Sequence, residues 1–416
     1  MSSINSGTSF SRRVECGSLT AYDFGFLREG QFASMRVRRR HLIGIALLAV
    51  GAAACNGGAA SPPPFSTSSP VLAQQQLIAI PGLTVGGRFT YDIGIVDATA
   101  RRYYLADRTN AALDVIDLNT FAVRQIKAGF TGQQASNDTS GPDGVVVVPG
   151  GAVYVGDVNT VKVIDATAGT LTKTIATGTA GFRTDEGCYD PDDKLVMFAN
   201  PADSPPYATF ISTTTNTVVG RLNFTTSVGL EQCVYDPGTK KFFINNDGTP
   251  ANPHGELDTI TAASAVAGTP VIANVYPEGN CSPAGLALGP SPNVVVGCDA
   301  PAGSQQITLI MNTSGAIVKT IPQVGGSDEV AYDPKLNHYY TASRDWTANG
   351  ISQTGNTGAV FTPVLGVIDA ATNTWIANMP TGANAHSVAA DPVTGNVFVP
   401  VPPTATSAGG VQMFGT

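Results

Sequence analysis

The sequence predicts an all-β fold, a seven-bladed β-propeller of four-stranded antiparallel blades closed by an N-terminal strand that completes the last blade. Three observations carry this. Only 13% of the 416 residues are charged, while 46 Gly and 28 Pro accompany abundant Thr, Val and Ala, a turn-rich, strand-forming composition. A Tyr-Asp-Pro turn and its variants recur with a period of about 42 to 58 residues. The last copy lacks a fourth strand, and a matching strand stands ahead of the first copy.

The copies read "DIGIVDATARRYYLAD" at 92, "DGVVVVPGGAVYVGD" at 143, "DEGCYDPDDKLVMFAN" at 185, "EQCVYDPGTKKFFINN" at 231, "AGLALGPSPNVVVGCD" at 284, "DEVAYDPKLNHYYTAS" at 328 and "HSVAADPVTGNVFVPV" at 386. Each pairs a short apolar strand with a β-branched or aromatic one across a Pro/Gly/Asp turn. A third strand follows, such as "VKVIDATAG" (161–169), and then a fourth, such as "TKTIATG" (172–178). Four antiparallel strands per repeat describe a propeller blade. The chain ends in "GGVQMFGT", a third strand, and "QQLIAIPG" (75–82) supplies the missing fourth from the other terminus.

Residues 1–54 read as a leader and 55–74 as a flexible tether, leaving 75–416 for the propeller. "MRVRRR" from Met35, then "HLIGIALLAVGAAA", then Cys55, gives a basic region, a short apolar run and small residues before a cysteine. The run is short for a membrane span. Met35 is the expected true start. The segment before Cys55 holds Arg12, Arg13, Arg28, Arg36, Arg38, Arg39 and Arg40 against Glu15, Asp23 and Glu29. From Cys55 onward the chain keeps 16 basic and 28 acidic residues, a net charge of about −12. With no clustered Lys and Arg there, nucleic acid is excluded as a partner. Contact with a membrane is expected only through the N-terminus, and a monomer is expected.

The first residue of each copy is a lead position: Asp92, Asp143, Asp185, Glu231, Ala284, Asp328 and His386. In a propeller these share one mouth of the central channel, so five carboxylates and an imidazole ring it. Crowded carboxylates either protonate or hold a cation. An oxygen-rich set suits a divalent cation, calcium first. Asp92, Asp143, Asp185, Glu231 and Asp328 are therefore the expected metal ligands. Asp143, Asp328 and His386 are the candidate catalytic groups if the site is an enzyme's. Asp107, Asp157, Asn200, Asn246 and Asp299, at the ends of second strands, are expected further out on the same face. Glu186 and Glu329, one residue past a lead position, are expected to point away from it. Arg183 is expected to pair with Asp185.

Two insertions, 246–258 and 342–363, are long polar loops on the same face, where binding commonly resides. Tyr207 and Trp346 join Asn200, Asn246 and Asp299 as the expected rim for a small-molecule or protein ligand. No Gly-x-Ser-x-Gly elbow or phosphate loop is present, and four His leave no multi-His metal cluster. Without Cys16 and Cys55, four cysteines remain. Cys281 and Cys298 approach one face of one blade and are expected to bridge. Cys188 and Cys233, on neighbouring first strands, make a second bridge plausible. Disulfides fit an exported chain.

Four resemblances add to this. The segment up to Cys55 resembles a bacterial lipoprotein signal, implying that Cys55 is lipidated. Ala52 stands where Leu is usual, which leaves cleavage without lipidation as the alternative, and "RRHLI" resembles a twin-arginine signal. An exported, lipid-anchored chain in the periplasm or on the outer cell surface is implied. "VIDATAGTLTKTIATG" and "VVVVPGGAVYVGD" resemble the YVTN-repeat propellers over about 75–416, implying the fold but no single activity. "PDG" at 142–144 resembles a metal-ligand context of the senescence-marker-protein/gluconolactonase propellers, matching Asp143 to their Asp. "TDEG" puts Asp185 where their Glu stands, with Glu186 one step on, and no "NG" occupies a lead position. The sequence thus points to a binding module with a cation and ligand site at the acidic mouth, and alternatively to a metal-dependent hydrolase of the lactonase type.

Overall fold

The computed structural model describes residues 72–416, which form seven four-stranded antiparallel sheets arranged as a propeller. Blades 1 to 6 span 91–126, 145–176, 187–223, 230–277, 283–321 and 330–380. Blade 7 takes three strands from 389–415 and its outermost from Ala73–Ile78, which pairs antiparallel with Gly410–Gly415. The expected closure therefore forms, with the strand starting two residues ahead of the expected boundary and Leu72 buried beside it. The leader and Cys55 lie outside the described residues. Among the described residues no helix is long and apolar enough to cross a membrane.

Second and third strands are almost wholly buried, as in "LVMFAN" (Leu195–Asn200) and "FVPV" within Val397–Val401. Both faces of each sheet meet a neighbouring sheet, so apolar residues run on rather than alternate. The core is accordingly seven clusters, one between each pair of adjacent blades. Phe210 meets Phe242 edge-on between blades 3 and 4, and Tyr103 stacks on Phe398 between blades 7 and 1.

The recurring Tyr-Asp-Pro is a turn device. Asp190 accepts from the backbone of Asp192 and Asp193, Asp236 from Gly238 and Thr239, and Asp333 from Lys335. The chain then reverses through a left-handed residue, Lys194, Lys240 or Asn337.

Both expected disulfides form. Cys188–Cys233 joins the inner strands of blades 3 and 4, and Cys281–Cys298 closes a 17-residue separation in blade 5. Loop-closure entropy predicts that converting Cys281 and Cys298 together to Ala costs about 3 kcal/mol. Denaturant titration reads this directly, and an unshifted midpoint would show that the bridge adds nothing.

Candidate functional site at the channel mouth

The inner strands share an irregularity that builds the site. Tyr91 pairs with Asp107 but Gly94 with Leu105, so Asp92 and Ile93 oppose one residue, Ala106. The same extra residue occurs at Glu231–Gln232 and Ala284–Gly285. At Asp185–Glu186, Ala199 accepts from the first backbone amide and donates to the second carbonyl, and Ala342 does the same at Asp328–Glu329. This is a β-bulge at the lead position, and it suspends the alternation of side chains there. Glu186 and Glu329 therefore do not point away as expected: both line the channel mouth together with Asp185 and Asp328.

Asp92, Asp185, Glu231, Ala284, Asp328 and His386 line a cavity of about 360 Å³. Asp143 does not; it is fully buried behind Arg108. Gly144, next to it, has no room for a side chain, since an added Cβ would lie 1.9 Å from the Asp185 carbonyl oxygen of the next blade.

Three arginines enter the ring: Arg183 makes the expected pair with Asp185, while Arg108 and Arg344 are unexpected there. Arg108 donates Nε to Asp143 Oδ1 at 2.8 Å, and its Nη2 contacts both Asp143 and Asp92. Arg183 lies 2.9 Å from Asp185 and 3.8 Å from Asp92. Arg344 lies 2.6 Å from Asp328 and 3.9 Å from Asp345. Asp92, Asp143 and Asp185 converge to within 4.8 Å, and guanidinium groups supply part of their neutralising charge. Three carboxylates facing two arginines leave one negative charge over, and burial, opposed by Arg183 and reinforced by Asp92, pushes Asp185 up to about 7. Burial also works against ionisation of Asp92, yet Arg108, His386 and Arg183 hold it below the usual range.

The other half of the mouth is different. Glu186, Glu231 and Asp328 also converge to within 4.8 Å, and Asp247, Asp299 and Glu329 stand around them, with Arg344 the arginine paired there. Burial pushes Glu186 well up, then Glu329 and Glu231 add to it; burial followed by Asp247 and Asp328 does the same for Glu231. Glu329 rises through burial and Asp328, while Asp247 and Asp299 are pushed up to about 7, chiefly by burial. Among the described residues, Glu186 Oε2 and Glu329 Oε1 are buried with no hydrogen-bond partner.

Of the residues expected at the second-strand ends, Asp299 lines the mouth and the other four do not. Asp157, Asn200 and Asn246 are buried and turn toward the third strand, bonding Lys162 (3.1 Å), Thr209 (2.9 Å) and Asp258 (2.9 Å) diagonally. Asp107 is turned the same way, bonding Asn110 and facing Asp114. The residue after the strand end faces the mouth instead: Arg108, Asp247, Asp299 and Arg344 all occupy that position. One residue of slip reverses a side chain, and this is what separates the expected rim from the observed one. Tyr207 is buried away from the channel, its ring under Arg221 and its hydroxyl donating to the Thr177 carbonyl. Trp346 packs into the cluster between blades 5 and 6. Its loop docks on blade 5, where Gln306 donates to the Asp345 carbonyl and Ser352 to that of Ala300.

His386 stacks on Tyr91 with centroids 4.5 Å apart. Its Nδ1 lies 2.8 Å from the Asn384 carbonyl, and its Nε2 3.3 Å from that of Tyr91 and 3.7 Å from Asp92. Below the mouth the channel continues as a second cavity of about 420 Å³, lined by inner-strand residues such as Ile95, Val147, Val234 and Tyr332, with Glu329 bordering both cavities.

The fold and this acidic, arginine-braced mouth define a seven-bladed β-propeller of the kind that commonly serves as an interaction module. No protein-family model matches the chain, and no curated protein matches it. Among solved structures, hydrazine synthase from Kuenenia stuttgartiensis aligns with a TM-score of 0.60 at 17% identity, covering 81% of this chain and 99% of that one. A chain of a mitotic checkpoint complex aligns with a TM-score of 0.59 at 12% identity, covering 90% and 99%. Likeness at these identities is a likeness of fold.

Proposed function

We propose that the chain is an exported binding module of the YVTN-repeat type, held by a lipid on Cys55, whose channel mouth takes a divalent cation on Glu186, Glu231 and Asp328 and a small polar or protein ligand above it. One observation carries the cation: three convergent carboxylates, of which Glu186 keeps a buried oxygen without any partner among the described residues. An oxygen-only set in a crowded acidic environment suits calcium, with waters and the ligand completing its shell. Two disulfides support export, and the basic, apolar and small-residue succession before Cys55 supports the anchor.

Hydrolysis of the lactonase type gains less support. Both ring nitrogens of His386 face oxygens of the protein, and Asp143 is screened from the cavity by Arg108. Neither is disposed as a free base toward a molecule in the mouth.

Calcium added to chelator-stripped protein is expected to bind and to raise the melting temperature, and Glu186→Gln is expected to weaken that binding at least tenfold. Calorimetry showing equal affinity in Glu186→Gln and the parent would reject this site. Turnover of simple lactones by the parent and not by Asp328→Ala would reinstate the hydrolase.

A further inference from the structure

We propose that the channel beneath the mouth is a site for an amphipathic amine, an alkylammonium whose charged end meets Glu329 at the neck between the two cavities and whose apolar chain fills the lumen. The sequence builds this lumen blade by blade. After each lead residue and its neighbour come three inner-strand residues that are apolar or aromatic in all seven copies, as in "GIV" at 94–96, "VVV" at 145–147, "LAL" at 286–288 and "VAY" at 330–332. All seven triplets line the cavity of about 420 Å³. Cys188 and Cys233, both in the lining, are bridged to each other and bring no thiol to it. Ile95, Val147, Val234 and Ala287 are left only half-buried. A concave, largely apolar space of this size with a few placed polar groups has the make-up of a small-molecule site.

Tyrosine hydroxyls apart, two polar side chains interrupt the lining, Gln232 and Glu329. Gln232 is engaged, its Oε1 accepting from the Leu286 amide. Glu329 is not: it is 2% exposed and borders both cavities, and its Oε1 has no hydrogen-bond partner among the described residues. The mouth arginines pair with Asp92, Asp143, Asp185 and Asp328, and none of them with Glu329. At the far end, Tyr235 and Tyr332 donate their hydroxyls to Asp192 (3.3 Å) and Asn337 (2.8 Å) in the turns, which leaves their rings to the lumen.

A buried carboxylate without a donor is answered by a proton or a cation. A metal ion suits the neck poorly, because it demands a shell of oxygen ligands and the wall below Glu329 is hydrocarbon. An ammonium asks for less, donating up to three hydrogen bonds, while its chain gains by leaving water. An anion would meet the acidic mouth, and a neutral chain would leave Glu329 unanswered. Three strand residues span about 10 Å, the reach of an octyl chain. The site lies below Glu186, Glu231 and Asp328, and it does not rest on a cation bound to them.

The test titrates butyl-, hexyl- and octylammonium into the full chain by calorimetry, with chelator present so that the mouth cation plays no part. Octylammonium is expected to bind at about one equivalent, with affinity rising about fourfold for each methylene added to the series. Octanoate, which has an equally long chain and the opposite charge, is expected to bind at least tenfold more weakly. Glu329→Gln, which keeps the side-chain volume, is expected to weaken octylammonium by about tenfold or more. The proposal is overturned if affinity is independent of chain length, which would put the ammonium in the mouth alone, or if octanoate binds as well as octylammonium. Equal octylammonium affinity in Glu329→Gln and the parent overturns it too; should that variant not fold, the chain series and the octanoate comparison, both made on the parent, decide. Calcium binding without octylammonium binding overturns this site and leaves the one at the mouth standing, whereas the reverse result supports this site and rejects the other.

Discussion

Arg108→Met is expected to destabilise the protein by about 3 to 5 kcal/mol, the range found when one partner of a buried ion pair is removed. Arg108 is buried, and so are Asp92 and Asp143, both of which its Nη2 contacts. Met replaces the aliphatic stem, so the loss is electrostatic. Without the guanidinium, Asp143 must take a proton or force the mouth to admit water. Adding Asp143→Asn removes the uncompensated charge and is expected to recover more than half of the loss. Urea titrations of the single and double variants at neutral pH measure both terms. A single variant within about 1 kcal/mol of the parent would mean that the network contributes specificity and not stability.

In the presence of chelator, stability is expected to fall as pH rises from about 4 to about 7. Asp185, Asp247 and Asp299 are each pushed up to about 7, principally by burial, whereas in the unfolded chain an aspartate titrates near 4. Between those values the folded chain holds protons that the unfolded chain has released, so the free energy of unfolding declines with pH. Their contribution is fully present below about pH 4 and is gone above about pH 7. One carboxyl lifted that far is worth on the order of 4 kcal/mol, and neighbouring groups share the effect instead of adding to it. Asp92, held below the usual range, acts in the opposite sense, and only at pH values lower still. Calcium should flatten the decline by taking the place of the lost protons. Thermal melts from pH 4.5 to 8, with and without calcium, report it; a melting temperature that is level with chelator present would show that the acidic mouth titrates like ordinary surface carboxylates.

The sequence carried the fold because a propeller repeats its grammar. The turn aspartate, the strand lengths and the displaced fourth strand each recur, and recurrence can be seen without coordinates. The lead positions were legible for the same reason. The pairing of Arg183 with Asp185 was legible from their closeness in the sequence, but Arg108 and Arg344 were not, because a single Arg in one blade does not repeat. A signal existed nonetheless: Arg108 and Arg344 both stand one residue past a second strand, in "LADR" and "TASR", the position that gives Asp247 and Asp299 in blades 4 and 5. Taking the strand-end residue instead placed Asn200 and Asn246 on the rim, though they point between strands. Glu186 and Glu329 were misdirected by strict alternation, which a bulge cancels, and a bulge leaves little trace in a single sequence. Tyr207 and Trp346 illustrate a different limit, since an aromatic residue in a loop packs inward as readily as it faces a ligand.

The shared seventh blade has a mechanical consequence. Ala73–Ile78 is the outermost strand of its sheet and lies antiparallel to Gly410–Gly415. Any tension on the N-terminal segment is therefore delivered to the strand that shuts the ring. Pulled along its own axis, that strand loads its ladder of hydrogen bonds in shear, all together, and not by peeling them one at a time. A chain tethered at this end would bear force through its strongest direction, and would open, when it did, by releasing blade 7 before any other.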